Sequence, residues 1–168
     1  MKIPIILTLT IICMITVIQS HAQLYLLKNE ISVFSFDTKS GKHLELAKDS
    51  NDNYIVYRYG QKNKIEFEYP SKTRESWRKL NFTSQIRGGG TQNEGIDLNY
   101  VYFFNKSFQY VIYSTYFARD QRTYTGIRIF DLAKKSMIDI PAKPKSVKGS
   151  LTDLRDNDLI KVGNEFFD

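Results

Sequence analysis

His43 is the first residue to weigh, because a Ser-His-acid triad needs an imidazole base and an acid to orient it. The 168 residues hold one other histidine, His21, and one cysteine, Cys13, both in the first 22 positions. No Gly-x-Ser-x-Gly elbow accompanies His43, which reads as a strand residue beside a glycine turn. A catalytic zinc centre usually takes two or three His or Cys ligands, and beyond residue 22 the chain offers one. No catalytic residue, metal centre or cofactor is expected from these types.

Paired carboxylates need no histidine, so glycoside hydrolysis stays open on composition. Glu66 and Glu68 lie two apart on one face of a strand. They alternate with Lys64 there, which reads as a solvated surface. Asp37, Asp97 and Asp131 fall near strand ends and carry no pattern. Asp49-Ser50-Asn51-Asp52-Asn53 gathers oxygens as calcium loops do. Position 54 is Tyr where an EF-hand requires Gly, and Asx turns account for the run.

Arg87-Gly88-Gly89-Gly90 is the least ordinary stretch. Consecutive glycines permit positive φ and a close approach of another molecule to the backbone. Main-chain N–H groups there, with the Arg87 guanidinium, suit an anion or a partner carboxylate, and a flexible hairpin loop is the alternative reading. It is not a P-loop, since no Gly-Lys-Ser/Thr and no helical pattern follow. Lys72, Arg74, Arg78 and Lys79 upstream form, with Arg87, the densest basic cluster. Arg87, Gly88, Gly89, Gly90, Arg74 and Arg78 are the candidate binding residues. No recognition helix or RNA-binding aromatic signature goes with them, so nucleic acid is not the expected partner. Asn81-Phe82-Thr83 and Asn105-Lys106-Ser107 match the N-glycosylation pattern, which matters only on a eukaryotic secretory route.

The elements that must position these residues are strands. Runs rich in aromatic and β-branched residues cover 31–37, 43–47, 54–59, 64–69, 81–86, 96–104, 108–117, 124–130 and 136–140, with polar turns between them. No helical pattern of 10–15 residues intervenes, which excludes βαβ units. Both faces of 108–117 are apolar, as in a central strand covered on both sides. Residues 71–80 form a long connection with room for a helical turn. The expected fold is all-β, an antiparallel meander over 23–140 closing into a small β-barrel, with a β-sandwich as the alternative. Residues 141–168 read as a polar tail in which Ser150 caps a short helix.

Residues 1–22 read as a signal peptide. Lys2 precedes an apolar run at 3–18, and Ser20-His21-Ala22 fits signal peptidase, with cleavage after Ala22. The run falls short of the roughly 20 residues that span a bilayer, so no membrane anchor is expected after cleavage. Ile12 before Cys13 does not fit a lipobox. Removing 1–22 takes away Lys2 and no acid, lowering the net charge from +6 to +5. The mature chain has no cysteine, so its core must hold without disulfides in an oxidising compartment. One domain of this length can do so. A periplasmic or secreted location follows, with an envelope protein or anionic polymer as the expected partner.

Tyr57-Arg58-Tyr59-Gly60 followed by residues 64–70, then Gly88 to Gly90, Tyr102-Phe103-Phe104-Asn105, Tyr110-Val111-Ile112-Tyr113 and Gly126-Ile127-Arg128, resembles a pattern in small exported bacterial proteins of unknown function. The likeness spans about residues 54–130. Size, leader and β-meander also resemble periplasmic lysozyme inhibitors, small barrels whose loops plug an enzyme's cleft. Some of those inhibitors carry cysteines and a Ser-Gly-x-x-Tyr loop that this chain lacks. The resemblance implies a non-catalytic binding protein of the envelope, an inhibitor of an envelope-acting enzyme such as lysozyme. A carboxylate-based glycan hydrolase and an accessory structural envelope protein are the alternatives.

Overall fold

The structure is a computed structural model that describes residues 25–167. The leader and its cleavage site lie outside the described residues. Nine strands follow, in hairpin order within β1–β4 and within β5–β9: β1 Glu30–Asp37, β2 Lys42–Asp49, β3 Ile55–Gln61, β4 Lys64–Tyr69, β5 Asn81–Arg87, β6 Ile96–Asn105, β7 Phe108–Phe117, β8 Arg122–Asp131 and β9 Ser136–Pro141. Each falls within two or three residues of its expected place, because period-2 alternation marks a half-buried strand directly. Two more, β10 Lys148–Gly149 and β11 Lys161–Val162, come from the supposed tail.

The strands form two sheets, ordered β10-β1-β2-β3-β4 and β11-β5-β6-β7-β8-β9. One core lies between them. Phe34, Phe36, Leu44, Leu46 and Tyr57 of the first sheet meet Val101, Phe103, Ile112 and Ile127 of the second. A single bridge, Thr38 to Ala142, links the two sheets at the ends of β1 and β9. Residues 71–80 do hold a short 3-10 helix, Arg74–Lys79, which buries Trp77 in the core. The indole Nε1 donates to Asp52 O at 2.9 Å.

Two expectations need correction. Every pair is antiparallel except β11–β5, which is parallel through Lys161–Asn81 and Val162–Phe82. The chain reaches that edge from beyond the meander, so no hairpin constrains its direction. The second correction concerns 141–168. Ser150 does cap a 3-10 turn, Leu151–Leu154, accepting from Thr152 N–H. But Leu151, Leu154 and Ile160 are buried in the main core, and Phe167 packs on the outer cluster of Leu98, Tyr100, Tyr102, Val111 and Tyr113. The segment completes the domain rather than trailing from it.

The first sheet's outer face is crossed by the segment 25–29. Tyr25 O–H donates to Gln61 O at 2.9 Å, and Tyr25 O accepts from Arg58 Nη1 at 2.8 Å. Burial, with Glu66 and Tyr59 nearby, pushes the Tyr25 phenol up to about 12. A Cβ on Gly60 would meet Lys64 O at 2.3 Å, so only glycine lets β4 approach β3 there.

Candidate binding surface at the glycine-loop end

The register across β5, β6, β7 and β8 sets Arg87, Ile96, Phe117 and Arg122 in one row. The two loops beyond this row touch, since Ala118 N–H donates to Gly95 O at 2.8 Å. Arg119 in the second loop completes the group. Arg87, Glu94, Gly95, Ile96, Phe117 and Arg119 line an open hollow of about 300 Å³. Ile96 and Phe117 give it apolar surface, Arg87 and Arg119 bring guanidinium groups, and the Glu94 carboxylate lies 3.7 Å from Arg87 Nη2.

The glycine run is a built turn. Gly89 at φ 96° precedes the short helix Gly90–Asn93, and Glu94 at φ 44° ends it. Asn93 Nδ2 donates to Gly88 O at 2.9 Å, and Gly95 N–H to Gly90 O at 2.8 Å. Arg87 holds the turn closed, its Nη2 and Nε donating to Glu94 O at 2.6 and 3.1 Å. Part of its fork therefore serves the loop, and the side chain stays 47% exposed. Arg119 is freer, at 78% exposed and near only Asp120.

The structure does not bring Arg74 and Arg78 to this surface. Both belong to the helix that enters β5 at Asn81, while the glycine loop leaves β5 at Arg87. Seven strand residues at about 3.3 Å each put roughly 20 Å between them. Sequence reasoning missed Arg119 and Arg122 instead. Their signal was the length of the two hairpins: equal strands about the turns at 105–108 and 118–121 return them to the Arg87 row.

The other flagged residues settle into local networks. Asp49 Oδ1 accepts from Asn51 N–H, Asn53 N–H and Asn53 Nδ2 at 3.1, 3.3 and 2.7 Å, as an Asx loop does. Glu66 pairs with Lys42 at 2.6 Å. Glu68 pairs with Arg58 and Lys72, each at 2.7 Å. Desolvation pushes the Glu68 carboxyl up, but its bonds from Lys72 and Arg58 outweigh that and hold it below the usual range.

His43 sits between two carboxylates, with Nδ1 2.8 Å from Asp37 Oδ1 and Nε2 3.3 Å from Glu45 Oε2. No serine faces Nε2; Ser32 donates to the far oxygen of Glu45. The Glu45 bond raises the imidazole pKa, desolvation opposes it, and Asp37 adds to the rise. A raised folded pKa stabilises the fold fully below the free value of about 6.5 and ceases to do so as pH climbs past the folded value. The stability advantage of the parent over His43→Gln is therefore expected to be larger at mildly acidic than at alkaline pH. Urea unfolding at the two conditions measures it, and an equal advantage at both would mean a neutral ring.

No protein-family model, curated protein or solved structure matches this chain, and its function has to be read from these side chains themselves.

Proposed function

We propose that the chain is an exported, non-catalytic binding protein of the cell envelope, whose glycine-loop end holds an anionic group of an envelope protein or polymer. One observation carries this reading: Arg87 and Arg119 line a hollow together with Ile96 and Phe117, and Arg122 stands beside Phe117 in the same row at the end of the sheet. Loops on such a scaffold are the usual place for recognition, because they vary without disturbing the core. Arginine offers a planar fork that matches carboxylate and phosphate. Inhibition of an envelope-acting enzyme such as lysozyme is the form of binding this reading includes. In that reading the two sheets, joined at Thr38–Ala142, are the halves of a flattened, incompletely closed barrel.

The hydrolase alternative draws less support. A general acid needs a carboxyl held protonated near neutral pH, and Glu68 is shifted the opposite way by Lys72 and Arg58. No observation favours a purely accessory role.

The test is affinity capture from envelope extract with protein beginning at Gln23 as bait. Variants then go against the captured partner. A charge-assisted contact is worth about 1.5–3 kcal/mol, a roughly ten- to hundred-fold change in affinity. Arg119→Ala is expected to weaken binding by that factor with little change in melting temperature, since among the described residues Arg119 makes one exposed contact, to its neighbour Asp120. Arg87→Ala weakens it as well and loosens the turn. Gly89→Val does so by distortion, because its Cβ would stand 2.5 Å from Asn93 Cβ. Arg74→Ala and Arg78→Ala leave it unchanged. A partner that binds Arg119→Ala and Arg87→Ala as tightly as the parent overturns the reading.

A further inference from the structure

The inner face of the second sheet changes character along its strands. Toward β9 it carries Val101, Ile112 and Ile127, all in the core. Toward the glycine loop the same face carries Asn99, Ser114 and Thr125 in one row and Asp97, Tyr116 and Thr123 in the next. A second hollow of about 300 Å³ opens over this polar stretch. Ser114, Thr123 and Thr125 line it together with Phe34, Pro144 and Val147.

We propose that this hollow binds a neutral saccharide. The three hydroxyl groups make no hydrogen bond to any other group among the described residues. Each both donates and accepts, as a sugar hydroxyl does. The register sets Ser114 opposite Thr125 with Thr123 two residues on, so the three stand together on one pleated face. Pro144 and Val147 offer apolar surface to the C–H face of a sugar ring, with the core residue Phe34 beneath. Tyr116 lies opposite Thr123 on the same face, 38% exposed and with no ring partner among the described residues. It is placed to stack on a second ring. Among the described residues no ionised side chain lines the hollow. The adjoining charge, Asp97, is already held by Arg155 and by Asn99 Nδ2 at 2.7 Å. An anionic ligand would lose its hydration here without gaining a cation, whereas a neutral polyol would not. The volume lies at the small end of ligand sites, about 300–1,000 Å³, and takes one or two sugar rings. This site is separate from the arginine-bearing surface and does not depend on it.

The experiment is an amide NMR titration of isotope-labelled protein beginning at Gln23. The probes are triacetylchitotriose, cellotriose and maltotriose, with a sulfated oligosaccharide as the anionic arm. At least one neutral probe is expected to move resonances of residues 114–125 and 142–150 at millimolar concentration. Thr125→Val keeps the strand and removes one hydroxyl; Tyr116→Ala removes the stacking ring. Each is expected to weaken binding by about tenfold, the size of one lost hydrogen bond, while Arg119→Ala leaves it unchanged. Perturbations confined to other residues, no response to any neutral probe, or both variants binding like the parent would overturn the proposal. A response to the sulfated probe alone would overturn it too.

Discussion

Replacing Arg58 by alanine is expected to lower the free energy of unfolding by about 3–5 kcal/mol, the usual result of breaking one side of a buried ion pair. Arg58 is 1% exposed, and the Glu30 side chain is wholly buried. The guanidinium forks onto that carboxylate, with Nη1 2.6 Å from Oε2 and Nη2 2.8 Å from Oε1. Its Nε donates to Glu68 at 2.7 Å, and Nη1 also reaches Tyr25 O. Leu27 N–H and Tyr54 O–H complete the shell of Glu30 at 2.8 and 2.9 Å. Without Arg58 a buried carboxylate keeps its desolvation and loses its counter-charge. Lysine cannot make the fork, so Arg58→Lys should recover little. Arg58→Met with Glu30→Leu, which removes both charges, should recover more than either single change. Desolvation pushes the Glu30 carboxyl up, yet the bonds from Arg58, Leu27 and Tyr54 prevail and its pKa is lowered. A depressed pKa contributes stability above the free value of about 4.3 and loses it as pH falls through the folded value. The parent should therefore destabilise at acid pH more steeply than the double variant. Urea unfolding across pH measures all of this; a loss under about 1 kcal/mol for Arg58→Ala would mean a pair no stronger than a surface one.

The Arg58 cluster also marks where sequence reasoning stops. The strand Ile55–Gln61 is legible, because Ile55, Tyr57 and Tyr59 alternate onto the core face. Position 58 then falls on the opposite face and reads as solvated. It is buried because residues 25–29 cross that face, and no local pattern announces a strap whose Tyr25 lies 33 residues away. The same limit governs the glycine-loop surface. Gly89 and Gly90 are recognisable as a turn from their type alone, and both have positive φ. Arg74 and Arg78 were grouped with them by nearness in sequence, which a strand turns into distance. Arg119 and Arg122 were left out by the same measure, although hairpin register returns them. The hydroxyl cluster of Ser114, Thr123 and Thr125 passes for ordinary strand composition until the fold opens a hollow over it. Periodicity reports which face a residue occupies; it is silent on what covers that face.

Ending the chain at Lys148 is expected to abolish the fold. The deletion removes Leu151, Leu154 and Ile160, which are 1%, 3% and 3% exposed in the main core. Each buried aliphatic side chain is worth about 1.5–3 kcal/mol. Three together approach the 5–15 kcal/mol that keeps a whole domain folded. The deletion also strips β11 from β5 and bares the main-chain edge from Asn81 to Phe82. A chain ending at Ile160 separates the two contributions. It keeps the three core side chains and loses β11, with Phe166 and Phe167, which cover Tyr100 and Tyr102. That chain should still melt cooperatively at a lower temperature and bind a hydrophobic dye through the uncovered rings. Leu151→Ala in the full chain should cost about 2–5 kcal/mol, as other buried leucines do. Circular dichroism melts of the three chains decide the matter. A cooperative transition at the parent's temperature for the chain ending at Lys148 would make residues 149–168 the dispensable polar tail that their composition suggests. A flat, uncooperative melt would make them the closing element of the core, without which the meander does not hold its fold.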